Sequence, residues 1–383
     1  MNRSADAAQD FLYLVICAAN GEAPDRDKCA QMDLRAIYRL SCSQFLSSAV
    51  AVALERTIEL PHAFDQVKKK AIRKLALFDI ERANVLRALE QEGVWYLPLK
   101  GILIKDCYPK TAMREMSDND ILCDSGRMET VRSVMEGLGY TCESFGGYPH
   151  DTYSKPPTLE FEMHRTLFDK KEIPKFYSYY YNVKDRLVKD EGSEFGYHMT
   201  PDDSYIYLLC HMYKHYLYVG TGLRSLMDIY LFNKRYSDEL DMEYISRELE
   251  KLELLKFEKN TRSFAEKVFT GQPLSQEEQK ELDGFLSDGI YGKGENLKKY
   301  LLAKEIGGDS KKAKRRYLLR RAFPEKEYME KRYPAVSRHK ILYPLIWVYR
   351  PIKGVVKYPK TLIAEFKTVK HHKNPERRGN LDK

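Results

Sequence analysis

The sequence lacks the cysteine motifs of zinc and redox sites. Its 383 residues contain seven cysteines, which are scattered between positions 17 and 210 without a Cys-x-x-Cys pair. This pattern predicts free thiols in a reducing compartment. We therefore expect a cytoplasmic protein.

Long apolar runs are also absent. No stretch reaches the roughly 18 to 20 apolar residues that a membrane-spanning helix requires, and residues 1–10 carry charges in place of the apolar block of a signal peptide. Residues 341–349 are apolar but too short, and they include Pro344. We expect no transmembrane span and a protein that is soluble or at most peripheral to a membrane.

The net positive charge of the chain comes from its C-terminal segment. Residues 311–383 hold 22 Lys and Arg against six Asp and Glu, whereas residues 1–310 hold 42 against 50. This asymmetry predicts an anionic partner such as RNA, a membrane surface or an acidic protein. A basic solvated surface has the same composition and is the simpler alternative.

The periodicity of apolar residues predicts helices on both sides of the middle of the chain. Residues 43–55 and 64–92 have apolar positions at three-and-four spacing. A second helical part begins with Thr200 as its N-cap and continues to about residue 310. Within it, Arg224 and Asp228 are four residues apart, so we expect them to pair along one helix.

The middle of the chain is predicted to form short strands. We expect turns over residues 146–158, because this stretch is rich in glycine and proline. Short helices are expected over residues 102–108 and 128–138. The predicted strands comprise residues 94–99, 117–123, 140–145 and 159–163.

Two acidic residues stand at the start of the second predicted strand. Because alternate residues of a strand point to the same side, Asp118 and Asp120 present two carboxylates to one volume, roughly 7 Å apart along the backbone. Such close anions need a basic residue or a metal nearby, and carboxylate oxygens suit Mg²⁺ or Mn²⁺. The last strand offers Glu160 or Glu162 as a third carboxylate, and only the pairing register decides between them.

The junction after the first strand has the features of an anion site. Gly101 lets the backbone approach an anion at a helix N-terminus, and Lys100 and Arg114 would add positive charge for phosphates. Taken singly these signals are weak, because an Asp-x-Asp pair is most often a solvated strand end. The order of strand, glycine junction, helix and two acidic strands within about 80 residues favours a functional site.

Other polar residues have both a functional and a structural interpretation. His164 follows the last acidic strand and would contact a metal, a substrate or a structural hydrogen-bond partner. His211 and His215 have a spacing that suits a metal, but no third ligand motif accompanies them. We expect their helix to pack on the strands, with Lys214 or His215 facing the cleft as a further candidate.

Several of these stretches resemble one known family. The resemblance covers most of the chain and is carried by L-P-L-K-G (97–101), R-E-M-S-D-N-D-I-L (114–122), F-E-M-H (161–164), L-L-C-H-M-Y-K-H (208–215) and F-P-E-K-E-Y-M-E-K-R-Y-P (323–334). The set resembles a bacterial family of nucleotidyltransferases within the polymerase-β-like superfamily.

The resemblance implies roles for particular residues. In that superfamily a glycine after the first strand contacts the triphosphate, an Asp-x-Asp pair binds metal, and an acidic strand supplies a third ligand. Gly101, the pair Asp118 and Asp120, and Glu162 occupy these positions. The usual Gly-Ser is Lys-Gly in this chain, and Glu160 duplicates the acid of the last strand.

The resemblance and the patterns together predict an α+β fold. Its centre would be a small mixed β-sheet nucleotidyltransferase core flanked by N-terminal and C-terminal helical segments. The expected parts are an N-terminal helical segment (1–80), a catalytic domain (81–200), a helical domain (201–310) and a basic C-terminal segment (311–383).

The expected activity is transfer of a nucleoside monophosphate from an NTP, such as ATP. Asp118, Asp120 and Glu162 would be catalytic and would bind Mg²⁺ or Mn²⁺. The acceptor hydroxyl would belong to a small molecule, a protein or an RNA. One alternative is a catalytically inactive nucleotidyltransferase-like binding module. Another is a helical scaffold with surface acids, which a mixed sheet over residues 94–164 would exclude.

Overall fold

The computed structural model describes four stretches of the chain, residues 3–147, 149–218, 221–288 and 311–322. Its residues up to 216 and from 221 to 288 belong to one compact unit, and the helix Lys311–Ala322 belongs to a second unit. The apolar stretch 341–349 and the basic segment beyond Ala322 lie outside the described residues. Among the residues that are described, no helix is both long and apolar enough to span a bilayer.

Residues 3–91 form five helices. Asp33 caps the third of them, Leu34–Ser43, because its carboxylate accepts hydrogen bonds from the backbone N–H groups of Arg35 and Ala36. The helix predicted over residues 43–55 begins later, since the chain turns at Phe45 with a φ of 53°. The bounds are α1 Arg3–Asn20, α2 Arg26–Gln31, α3 Leu34–Ser43, α4 Ser47–Leu54 and α5 His62–Gln91.

A mixed sheet of five strands follows α5. Its strands are β1 Tyr96–Pro98, β2 Asn119–Cys123, β3 Thr141–Ser144, β4 His150–Lys155 and β5 Leu159–His164. Their order is β1-β2-β5-β4-β3, in which the pair β2–β5 is parallel and the other pairs are antiparallel. This sheet excludes the helical scaffold with surface acids and confirms the α+β class.

Strand β4 was not predicted by the sequence, which indicated turns over residues 146–158. The strand forms because its backbone pairs with both β3 and β5, and because its inward-facing acid is neutralised. Asp151 is fully buried, where it pairs with Arg165 and accepts a hydrogen bond from the backbone N–H of Gly146 (2.8 Å). A buried acid breaks the alternation of apolar and polar residues by which a strand is recognised.

Short helices connect the strands. The helix predicted over residues 102–108 is only one turn of α-helix, α6 Gly101–Ile104, followed by a 3-10 turn Lys105–Cys107. Between β2 and β3 lies α7 Met128–Gly137, and after β5 comes α8 Pro174–Tyr179. The pair β6 Val188–Lys189 and β7 Tyr197–His198 forms a two-stranded ribbon.

The C-terminal part of the first unit is helical. Its helices are α9 Pro201–Tyr218, α10 Leu223–Tyr236, α11 Met242–Lys251, α12 Leu255–Thr270 and α13 Gln276–Asp288. The predicted N-cap is confirmed, because the Thr200 hydroxyl accepts a hydrogen bond from the backbone N–H of Asp203 (3.1 Å). The helix Lys311–Ala322 of the second unit is α14.

Two apolar cores hold the first unit together. One core joins the N-terminal helices α1 and α4 to α10 and α12, with Phe11 and Phe264 among its fully buried residues. The other lies between α5, α7 and one face of the sheet and includes Phe78 and Phe161. Burial of this apolar surface fixes β2 and β5 in register, and their polar side chains then meet on the same side of the sheet.

Candidate active site

The parallel register of β2 and β5 brings two carboxylates together. Asp120 is the Cα partner of Glu162, whereas Glu160 is paired with Ser154 of β4 and is exposed. The register therefore places Glu162, and not Glu160, beside Asp120. Asp118 lies just before β2, which begins at Asn119 and not at residue 117.

Asp120 is buried and is surrounded by positive charge. Its Oδ1 atom lies 3.0 Å from Nζ of Lys100 and 2.8 Å from Nε2 of His164. Burial alone would raise the pKa of this carboxyl, but Lys100 and the hydrogen bond to His164 outweigh it and hold the pKa well below its usual value. Asp120 is thus a fixed anion at the base of the site.

Asp118 is half-buried and lacks comparable compensation. Burial and the neighbouring charge of Asp120 raise the pKa of Asp118 to about 6, although Lys100 acts in the opposite direction. The nearby Lys74 of α5 donates its Nζ hydrogen to the backbone carbonyl of Ser117 (3.1 Å). A cation bound beside Asp118 and Asp120 would stabilise the ionised form of Asp118, because it offsets the repulsion between the two carboxylates.

Two histidines complete the acidic cluster. His150 Nε2 lies 3.4 Å from one oxygen of Glu162, and His164 Nε2 lies 3.5 Å from the other. The two imidazole rings face each other across β4 and β5, with centroids 4.8 Å apart. The sequence did not indicate His150, because β4 was predicted to be turns, and only the pairing of β4 with β5 places it in the cluster.

The donor set of this cluster fits a divalent cation. Carboxylate oxygens of Asp118, Asp120 and Glu162 are hard ligands of the kind that Mg²⁺ and Mn²⁺ take, and the raised pKa of Asp118 reflects a negative charge that a cation would relieve. The imidazoles of His164, which the sequence offered as a possible metal contact, and of His150, which it did not, add nitrogen donors.

Arg114 is engaged by an acid from a distant helix. Its Nε and Nη2 atoms each lie 2.9 Å from an oxygen of Asp228 on α10, and the hydroxyl of Tyr108 donates to the same carboxylate (2.6 Å). The expected pairing of Asp228 with Arg224 is therefore wrong, and Arg224 instead donates to the backbone carbonyl of Glu115 (3.1 Å). The contact of Arg114 with phosphates stays a prediction.

Gly101 is required by packing around Arg114. A Cβ atom at this position would lie 2.5 Å from Nη1 of Arg114 and 2.7 Å from Sδ of Met116. The preceding residue, Lys100, has a φ of 44°, a left-handed conformation that costs a non-glycine residue energy. The Lys-Gly junction thus fixes the lysine that pairs with Asp120, and its predicted phosphate contact stays a prediction.

We expect Gly101→Ala to destabilise the protein by about 1–3 kcal/mol, because Asp228 holds the guanidinium that the new methyl group would displace. Thermal unfolding measures the change. Gly284→Ala is the matched control, since a Cβ there meets nothing within 4 Å and replaces glycine inside α13. Equal melting temperatures for Gly101→Ala and the wild type would contradict the packing role.

Helix α9 lies close enough to the cluster that charges of the cluster change the pKa values of its residues. Burial raises the pKa of Tyr207, with Lys100 and Asp120 among the charges that act on it, and burial together with Lys100 lowers the pKa of His211 well below its usual value. His215 lies 3.3 Å from His211 through their Nε2 atoms, and burial lowers its pKa to about 3. Lys214 pairs with Glu172 (3.1 Å).

A cavity of about 490 Å³ lies beside the segment that carries Asp118. Lys70 and Arg73 of α5 line it together with Tyr38 and Glu115. Glu115 is only three residues before Asp118, and Lys74 next to Arg73 contacts the loop directly. Basic and aromatic side chains of this kind suit an anionic ligand with a ring.

Fold and site together define an α+β protein in which two parallel strands hold a carboxylate cluster beside a lysine. The model of a family described as uncharacterised nucleotidyltransferase matches residues 34–270. The chain belongs to this family.

A crystal structure of an antigenic nucleotidyltransferase-like protein from Paracoccidioides brasiliensis is also similar. The similarity covers 51% of this chain and 93% of that chain, at 13% identity and a TM-score of 0.29. No curated protein matches the sequence.

Proposed function

We propose that this protein transfers a nucleoside monophosphate from an NTP to an acceptor hydroxyl, with pyrophosphate as the leaving group. The observation that carries the proposal is the pairing of Asp120 with Glu162 on parallel strands, beside an Asp118 whose pKa is raised to about 6 by burial and by Asp120. Membership of a nucleotidyltransferase family supports it. The expected location is the cytoplasm of a bacterium.

The roles of the residues follow from their surroundings. Asp118, Asp120 and Glu162 would hold Mg²⁺ or Mn²⁺, which when bound supplies Lewis-acid stabilisation of the phosphate charge. Lys100 keeps Asp120 ionised and oriented through its 3.0 Å contact. Glu162, which is half-buried beside Asp120, would either ligate the metal or accept the proton of the attacking hydroxyl.

The phosphates of the NTP require further positive charge. We assign this role to Lys70 and Lys74, which lie one turn apart on α5, with Lys100 and the predicted Gly101 and Arg114 as additional contacts. Burial lowers the pKa of Lys74, whereas the negative charge of Asp118 raises it. The lysine and the carboxylate therefore interact electrostatically. The cavity lined by Lys70 and Arg73 would take the remainder of the NTP.

The acceptor is a small hydroxylated molecule, a protein side chain or an RNA 3′ end. The test is mass spectrometry of cell extract incubated with the full-length protein, isotope-labelled NTPs and Mg²⁺. We expect one product whose mass increases by a labelled nucleoside monophosphate, together with pyrophosphate release. Asp120→Asn is the negative control. A labelled product of equal yield with Asp120→Asn, or none from any extract and any NTP, would contradict the proposal.

A second candidate function is an inactive nucleotidyltransferase-like binding module. The ion pair between Lys100 and Asp120 favours it, because a protein cation already occupies one of the carboxylates that a metal would need. Thermal unfolding with a panel of NTPs separates the two functions. An enzyme is stabilised by one NTP in a manner that depends on Mg²⁺ or Mn²⁺, whereas an inactive module shows stabilisation without metal or none.

A further inference from the structure

Strands β4 and β5 place three metal-binding atoms in one small volume. His150, Glu162 and His164 each offer one donor atom, and these atoms all lie within 4.8 Å of one another. The two separations from Glu162 oxygens to imidazole nitrogens are 3.4 and 3.5 Å. Ligands 2.0–2.1 Å from a common tetrahedral ion are about 3.4 Å apart, so each imidazole has the spacing to share an ion with the Glu162 oxygen next to it.

The hydrogen bonds of the protein do not by themselves account for this arrangement. The Nδ1 atoms of both His150 and His164 are buried without a hydrogen-bond partner among the described residues. Both imidazoles therefore direct their Nε2 atoms at the carboxylates and leave the other nitrogen unsatisfied. Because buried unpaired polar atoms are uncommon, the cost accepted at Nδ1 shows that the ring positions are set by the contacts of Nε2 with the carboxylates.

The strands hold these donors rigidly. His150 and His164 are Cα partners across the antiparallel pair β4–β5, and His164 is buried. Nε2 of His164 also shares a hydrogen bond with Oδ1 of Asp120 (2.8 Å), which an ion bound to this nitrogen would replace. Donors on paired strands lose little conformational freedom on binding an ion, which favours affinity.

We propose that His150, Glu162 and His164 form a site for one first-row transition-metal dication. The proposal deepens the proposed function, on which it rests for the use of the metal, since it names the kind of ion that this carboxylate site takes. Imidazole nitrogen suits Zn²⁺ or Fe²⁺, whereas Mg²⁺ prefers oxygen and retains water. The site therefore selects a transition metal over Mg²⁺.

The experiment measures metal binding directly, without an activity assay. Full-length protein is stripped with a chelator and dialysed against Zn²⁺ alone, its metal content is measured by mass spectrometry, and the Kd is measured by competition with a chromophoric chelator. The variants are His150→Ala and His164→Gln, singly and together. His198→Ala is the matched control, because His198 is half-exposed and pairs with Asp190 away from the cluster.

We expect the wild type and His198→Ala to hold one more Zn²⁺ than the double variant, and each single variant to bind this ion at least roughly tenfold more weakly. A hundredfold excess of Mg²⁺ should not displace it. Equal zinc content in the wild type and the double variant, or displacement by equimolar Mg²⁺, would overturn the inference. Circular dichroism of the metal-free variants checks that each is folded.

The two proposals fail separately in this design. Suppose that the wild type and the double variant hold equal amounts of zinc, and that nucleotidyl transfer still depends on Asp118. The proposed transition-metal site is then wrong, and the proposed function stands. A zinc site that disappears in the double variant, with no transfer under any metal, confirms the site and removes the proposed function.

Discussion

Asp118→Asn is expected to reduce nucleotidyl transfer by at least roughly a thousandfold. The substitution removes one of three carboxylates that would hold the metal, and a metal that stabilises charge in the transition state contributes several kcal/mol, of which about 4 kcal/mol correspond to this loss. Asp185→Asn is the matched control, because Asp185 is exposed and lies outside the cluster. Steady-state rates with the NTP identified by thermal unfolding provide the measurement.

The same variant should be more stable than the wild type in the absence of metal. The pKa of Asp118 in the folded chain, about 6, lies above its ordinary value of 3.8. The ionised carboxylate therefore costs the folded state stability, and this cost appears as the pH rises from about 4 and is complete above about 7. At roughly 1.4 kcal/mol for each pKa unit, it amounts to about 3 kcal/mol.

The sign of this stability difference shows whether Asp118 is kept for metal binding or for the stability of the fold. We expect the melting temperature of Asp118→Asn to exceed that of the wild type by several degrees at pH 8 and to equal it at pH 3.5. Saturating Mn²⁺ should narrow the difference at pH 8, because the wild type, which has all three carboxylates, binds it more tightly. A lower melting temperature for Asp118→Asn at pH 8 would show that Asp118 is a structural acid.

Asp228→Ala is expected to destabilise the protein by about 3–5 kcal/mol. It leaves the buried guanidinium of Arg114 without its bidentate partner and removes the acceptor of the Tyr108 hydroxyl. Breaking a buried ion pair by deleting one member has costs of this size, because the remaining charge stays in a medium of low dielectric constant. Thermal or urea unfolding measures the loss.

Two further variants test whether the instability of Asp228→Ala comes from the unpaired charge of Arg114. Removing both charges with Arg114→Met and Asp228→Ala should recover part of the stability, since no charge is then left unpaired. Glu136→Ala breaks an exposed pair with Arg132 and should leave the melting temperature nearly unchanged. If Asp228→Ala behaves like Glu136→Ala, the pair with Arg114 does not hold the loop before Asp118 in place.

The sequence predicts the elements whose signals are local. Periodicity predicts α5 to within a few residues, and the alternation of apolar and acidic residues predicts β5. The Asp-x-Asp pair is visible because two acids separated by one residue stand at the start of an apolar strand, and its functional interpretation came from the order of the surrounding elements. The choice between Glu160 and Glu162 required the register of β5 with β2, which depends on contacts between residues 42 positions apart along the chain.

The remaining features of the site are set by tertiary contacts. His150 belongs to a strand that forms only because both neighbours pair with it and Arg165 neutralises Asp151. The partner of Arg114 is Asp228, 114 residues further along the chain. Neither contact leaves a periodic trace in the sequence, and local rules instead favoured turns for β4 and an intrahelical partner for Asp228.

The most direct test of the central claim is a crystal structure of the protein with Mn²⁺ and a non-hydrolysable NTP, with the ion located by its anomalous scattering. The proposed function predicts Mn²⁺ within about 2.2 Å of carboxylate oxygens of Asp118 and Asp120 and in contact with the phosphates. Density for the NTP with Asp120 still paired to Lys100 and no ion between Asp118 and Glu162 would contradict it.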